Sequence, residues 1–129
     1  MSDDELKLLA KQAAEKAYAP YSQFRVGSAL LTKSGNTYSG CNVENASYGL
    51  TTCAERNAVA NAIAAEGKIE IEKIVVYTPT PSPTPPCGAC RQVIHEFGNP
   101  VVISFCDGSE IKVDPSEDLL PGAFDLKRD

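Results

Sequence analysis

The chain holds a single histidine, His95, and no apolar run approaching the roughly 20 residues that a membrane-spanning helix needs. Its first residues, Met1-Ser2-Asp3-Asp4-Glu5, are acidic and have neither the basic nor the apolar region of an export signal, so a cytoplasmic location is expected. Clustered Lys and Arg are missing as well. With a net charge of −5 and no basic stripe, nucleic acid is not the expected partner, because phosphate binding relies on grouped cations. A small neutral substrate fits that balance better. No internal repeat is visible. What is present is otherwise ordinary: 43% apolar residues exclude neither a core nor solubility, and 129 residues suit one domain, 1–129.

The five cysteines are the exception. In a chain with no export signal they argue against a disulfide framework, since the cytosol keeps thiols reduced, and the odd count adds to that. Three of them fall in two motifs, Cys53-Ala54-Glu55 and Pro86-Cys87-Gly88-Ala89-Cys90.

The order of elements explains how such distant motifs can meet. Leu6, Leu9, Ala13 and Ala17 recur at helical spacing, so a first helix is expected over Asp3 to Tyr18, capped by Ser2 or Asp3. Phe24 to Thr32 and Thr37 to Val43 read as strands joined by the turn Lys33-Ser34-Gly35-Asn36, which makes them antiparallel. Glu44 to Leu50 has no periodicity and reads as a loop. Thr52 to Glu66 is Ala-rich and stops at Gly67, a helix with Thr51 or Thr52 as its N-cap. Glu70 to Thr78 alternates and is β-branched, the pattern of a central strand.

Pro79 to Pro86 is a stiff loop containing Pro79, Pro81, Pro83, Pro85 and Pro86. A further helix is expected from Cys87 or Gly88 to Phe97, stopped by Gly98-Asn99-Pro100. Val101 to Cys106 and Glu110 to Val113 form a second hairpin, and Pro115 to Leu120 a short last helix. The central strand-helix-strand unit makes its two strands parallel. The expected fold is α/β, a three-layer α-β-α arrangement around a five-stranded mixed sheet.

In this frame Cys53 opens one helix, Cys87 and Cys90 open another, and both helices flank the strand ending at Thr78. The C-x-x-C spacing lets two thiolates in one helical turn bind a single ion. Helix N-termini also favour thiolates, through unpaired N–H groups and the macrodipole. Three sulfurs leave a zinc ion one open position, which is the mark of a catalytic site rather than a closed structural one. Three thiolates and one Zn²⁺ carry an excess negative charge. Arg56, in the same turn as Cys53, is placed to offset it by hydrogen-bonding ligand sulfur.

Blander readings exist for each residue. C-x-x-C alone is often a redox pair, but that needs neither a third cysteine nor Glu55. A closed zinc site would need Cys41, Cys106 or His95; the two cysteines read as small buried apolar groups, and His95 lies far along its helix from the metal. Glu55 could simply stabilise a helix N-terminus, and Arg56 could be a solvated surface charge.

Cys53-Ala54-Glu55-Arg56 with Pro86-Cys87-Gly88-Ala89-Cys90-Arg91-Gln92 resembles the cytidine deaminases of pyrimidine salvage. Three more stretches share the resemblance: Ala19-Pro20-Tyr21-Ser22-Gln23-Phe24-Arg25-Val26-Gly27, then Gly40-Cys41-Asn42-Val43-Glu44-Asn45-Ala46-Ser47-Tyr48-Gly49, and the tail Leu119-Leu120-Pro121-Gly122-Ala123-Phe124. The resemblance implies conversion of cytidine or deoxycytidine and water to the uracil nucleoside and ammonia. It implies one Zn²⁺ on Cys53, Cys87 and Cys90, with Glu55 as the proton shuttle. Asn42 and Glu44 would then hold the sugar 3′-hydroxyl, and Phe24 and Ala54 would line the base pocket. Tyr48 and Phe124 would reach a neighbouring subunit's substrate, as in the short, homotetrameric members of the family. A related aminohydrolase of blasticidin-like nucleosides shares the three cysteines, so Asn42 and Glu44 carry the distinction. A non-catalytic zinc-stabilised module is the rival from another class.

Overall fold

In a computed structural model, residues 1–126 are described, and they fold around one five-stranded sheet. The first helix, α1 (Asp3–Ala14), starts at Ser2, whose hydroxyl accepts from Glu5 N–H at 3.2 Å while Glu5 Oε1 accepts from Ser2 N–H at 3.3 Å. This reciprocal cap satisfies donors that an open helix end would leave unpaired. The chain then runs β1 (Gly27–Thr32), β2 (Thr37–Cys41), α2 (Ala54–Glu66), β3 (Ile71–Tyr77), α3 (Gly88–His95), β4 (Val101–Phe105), β5 (Ile111–Pro115) and α4 (Ser116–Leu119). The strand order is β2-β1-β3-β4-β5, with β3 and β4 parallel and every other pair antiparallel. This is the mixed α/β sheet expected.

Alternation along the central strands builds a core on each face. Ala29, Leu31, Val75, Tyr77 and Ile103 pack with Leu6, Ala10 and Ala14 of α1. Leu30, Ile74 and Val102 point the other way, against Ala58, Val59 and Ala62 of α2 and Ile94 of α3. A fully buried leucine such as Leu30 contributes on the order of 2 kcal/mol through apolar burial alone. Two glycines set how closely the helices approach. A Cβ on Gly27 would lie 1.8 Å from Ala10 O, and one on Gly40 would lie 2.4 Å from Ala58 N. Only glycine lets α2 rest its first turns on β2, and those turns carry Cys53 and Glu55.

Several boundaries differ from expectation, each for a tertiary reason. The first helix stops at Ala14 rather than Tyr18, because the Tyr18 backbone pairs with the segment after β2: its N–H donates to Asn42 O at 3.0 Å and its carbonyl accepts from Glu44 N–H at 2.8 Å. The first strand begins at Gly27 rather than Phe24. The Asn42 side chain engages the backbone there instead, accepting from Val26 N–H at 2.9 Å and donating to Phe24 O at 2.7 Å. A 3-10 turn, Tyr48–Leu50, forms within the expected loop. The N-cap of α2 is Cys53 itself rather than Thr51 or Thr52, whereas α3 starts at Gly88 behind its N-cap Cys87, as expected.

Candidate active site

Cys53 and Cys87, as N-caps, have extended backbones and make no side-chain capping bond, which leaves both sulfurs free to face outward from the helix starts. Cys90, one turn into α3, is fully buried. The three Sγ atoms lie within 4.8 Å of one another, and Cys53 Sγ to Cys87 Sγ is 3.9 Å, a separation that two ligands of one tetrahedral zinc share. Hydrogen bonding with Cys90, and then Arg56, hold the Cys53 thiol down at about 5. The same pairing with Cys53, reinforced by burial, pushes Cys90 up. A divalent cation bound among the three sulfurs would displace the thiol protons. The donor set fits one Zn²⁺.

Arg56 lies where the charge argument puts it. Its Nη2 donates to Cys53 Sγ at 3.3 Å, and the thiolates raise its own pKa above the ordinary arginine value, Cys53 first. Its Nε is the one buried side-chain nitrogen or oxygen without a partner among the described residues. Such an atom is costly to leave unpaired.

A cavity of about 560 Å³ opens beside the cluster, a size suited to a small molecule. Cys53, Cys87, Ala54 and Glu55 line it, together with Phe24, Asn42, Glu44 and Tyr48. Glu55 is only 5% exposed, and burial, more than any charge, pushes its carboxyl up to about 7. An acid poised there can both accept and return a proton near neutral pH. Glu44 behaves oppositely. The Ser22 hydroxyl and the N–H groups of Ser22 and Tyr21 hold its carboxyl below the usual carboxylate range.

Eight of the eleven residues singled out from the sequence therefore meet at this cavity: Cys53, Cys87, Ala54, Glu55, Phe24, Asn42, Glu44 and Tyr48. Cys90 and Arg56 stand behind it at the cluster. Phe124 does not line it: the residue is 66% exposed, and its carbonyl accepts from Gln92 Nε2 at 2.9 Å. Ser22, Val26, Thr51, Val76, Thr78, Thr84 and Pro85 complete the lining without having been singled out. The position of Val76 and Thr78 at the C-terminal end of a strand between two helix starts is a signal that could have found them.

A helix-flanked mixed sheet, with three thiols at paired helix starts above a cleft holding a buried acid, defines a zinc-binding α/β protein of the hydrolytic kind. Comparison with known proteins makes this specific. The family model described as the cytidine and deoxycytidylate deaminase zinc-binding region matches residues 1–106. A cytidine deaminase of Halalkalibacterium halodurans is 50% identical over 118 residues, covering 89% of this chain and 88% of that protein. One from Sporosarcina psychrophila is 47% identical over 123 residues, covering 92% and 89%. The crystal structure of cytidine deaminase from Burkholderia pseudomallei superposes with a TM-score of 0.91 at 48% identity, over 96% of this chain and all of that one (100%). The chain belongs to the cytidine and deoxycytidylate deaminase family.

Proposed function

We propose that the protein hydrolyses cytidine and deoxycytidine to uridine and deoxyuridine with release of ammonia. The observation that carries this is the meeting of a three-thiol cluster, the buried carboxyl of Glu55 and the polar pair Asn42 and Glu44 at one cavity. Cys53, Cys87 and Cys90 hold one Zn²⁺ in this reading. Bound there, zinc acidifies water and so supplies a nucleophile near neutral pH.

The chain's own residues do the rest. Glu55 takes a proton from water and delivers it to ring N3, which makes C4 electrophilic. The water oxygen adds to C4, Glu55 takes the remaining proton from that oxygen and passes it to the amino group, and the C4–N bond breaks as the C4 carbonyl forms, so that water and cytidine become uridine and ammonia. A raised carboxyl pKa suits a group that must act first as base and then as acid. Arg56 draws negative charge off Cys53 and so preserves the cluster's acidifying power.

Phe24 and Ala54 wall the base. Asn42 keeps one N–H and one lone pair beyond its bonds to Phe24 and Val26, and Glu44 keeps an acceptor position on Oε2. Both are available to a sugar hydroxyl. A free base would leave these polar groups unpaired, so cytosine is a poor substrate.

The whole chain, 1–129, acts as one catalytic domain, and the two hydrophobic clusters on a single sheet support that. The active form is a homotetramer in which Tyr48 and Phe124 complete a neighbour's site. The two aromatic residues are 71% and 66% exposed, surface that an interface would cover. The reaction belongs to nucleoside salvage in the cytoplasm, in keeping with five free thiols and the absence of any described helix long and apolar enough to cross a membrane. Product analysis tests the activity: uridine and ammonia in equal amounts from cytidine support it, and unchanged cytidine overturns it. A fully active monomer in light scattering would overturn the shared site.

A further inference from the structure

Ser22 has no role in the reaction as set out above, yet it sits where sugar recognition is organised. The turn that carries it is wound through Gln23, the one described non-glycine residue with a positive φ, 56°. Gln23 N–H donates to Ala19 O at 2.9 Å, which holds the turn closed. So wound, the N–H groups of Tyr21 and Ser22 converge on Glu44 Oε1 at 3.0 and 3.1 Å. The Ser22 hydroxyl donates to the other oxygen, Glu44 Oε2, and accepts from Phe24 N–H at 3.0 Å. A relay therefore runs from Phe24 N–H through Ser22 Oγ to the carboxylate, and Ser22, Phe24 and Glu44 all line the cavity.

A carboxylate rotates easily about its last torsion, because that well is broad. The backbone donors reach only Oε1. Ser22 alone, among the bonds described for this carboxylate, reaches Oε2 and so fixes which lone pair remains for a ligand.

We propose that Ser22 is a positioning residue for the sugar: its hydroxyl aims Glu44 Oε2 at the nucleoside's 3′-hydroxyl. This rests on the reading of the cavity as a cytidine site in which Glu44 accepts from the sugar. Losing the hydroxyl removes one donor from a buried carboxylate and one acceptor from Phe24, without touching the thiols or Glu55.

Steady-state kinetics of zinc-loaded protein with deoxycytidine and with 2′,3′-dideoxycytidine, which lacks the 3′-hydroxyl, test it. In Ser22→Ala the KM for deoxycytidine rises about tenfold with kcat within about twofold, while the KM for the dideoxy substrate moves less than about twofold. Ser22→Thr, which keeps a hydroxyl, restores the wild-type KM. Should Ser22→Ala misfold, Ser22→Gly gives the same comparison. An equal rise on both substrates, or none on deoxycytidine, overturns the role of Ser22 alone. A wild-type enzyme that releases no ammonia from deoxycytidine overturns the parent reading instead, and this one with it.

Discussion

The two ends of α2 each carry a glutamate, and the molecule treats them in opposite ways. At the start, Glu55 is buried, and its carboxyl is pushed up to about 7 by desolvation. At the end, Glu66 accepts from the Ser34 hydroxyl at 2.7 Å, the Tyr38 hydroxyl at 2.8 Å, Asn36 Nδ2 at 3.0 Å and the Thr32 hydroxyl at 3.1 Å. These donors, Ser34 first, hold it at about 2. One end is saturated with partners and stays ionised, clamping the β1–β2 hairpin to the helix. The other is held ready to trade a proton. The lesson is that a carboxyl's partners, not its place on a helix, decide whether it builds or reacts.

The largest blow to this contrast is Glu55→Gln. The amide cannot shuttle a proton, so turnover falls by about 10³-fold or more while zinc content stays at one per chain; an active, zinc-loaded variant would break the contrast at its reactive end. Arg56→Ala comes next. Leaving Cys53 without its guanidinium lowers metal affinity about tenfold, with a parallel loss of kcat, as seen by competition with a chelator and by turnover.

Gly40→Ala tests the support beneath the reactive end. The added methyl meets Ala58 N at 2.4 Å and Ala54 O at 2.7 Å, so denaturant melts shift by about 2 kcal/mol or more. The smallest effect belongs to Glu66→Gln. A carboxyl whose folded pKa lies below the unfolded value of 4.5 adds stability above that value and loses it as pH falls toward about 2. The variant is therefore less stable than wild type at pH 7, and the gap closes between about pH 4.5 and 2; a gap independent of pH would show that the contact is not ionic.

Much of this was readable from the chain itself. The sheet, its helices and the three ligating cysteines follow from periodicity, turn residues and motif spacing, all of which are local. The start of α2 was off by a residue or two, because Cys53 caps without bonding and thus offers no Ser or Thr signal. Long-range hydrogen bonding stayed hidden. Nothing near Asn42 or Glu44 in sequence announces that their side chains grip residues 21–26, and that grip is what shortened β1 and placed Ser22 in the cavity. The four donors on Glu66 are equally distant in sequence and equally invisible there. Phe124 was singled out only by resemblance, and it stands outside the cavity of its own chain.

The central claim is that the thiol cluster, Glu55 and the sugar-facing pair form one nucleoside deaminase site. Ammonia release from the zinc-loaded protein tests it most directly, with cytidine, deoxycytidine, cytosine, adenosine and deoxycytidylate supplied in parallel. Rapid release from cytidine and deoxycytidine, with cytosine, adenosine and deoxycytidylate slower by about 10²-fold or more, is the predicted result. Release from cytosine as fast as from cytidine, or none from either nucleoside, would contradict it.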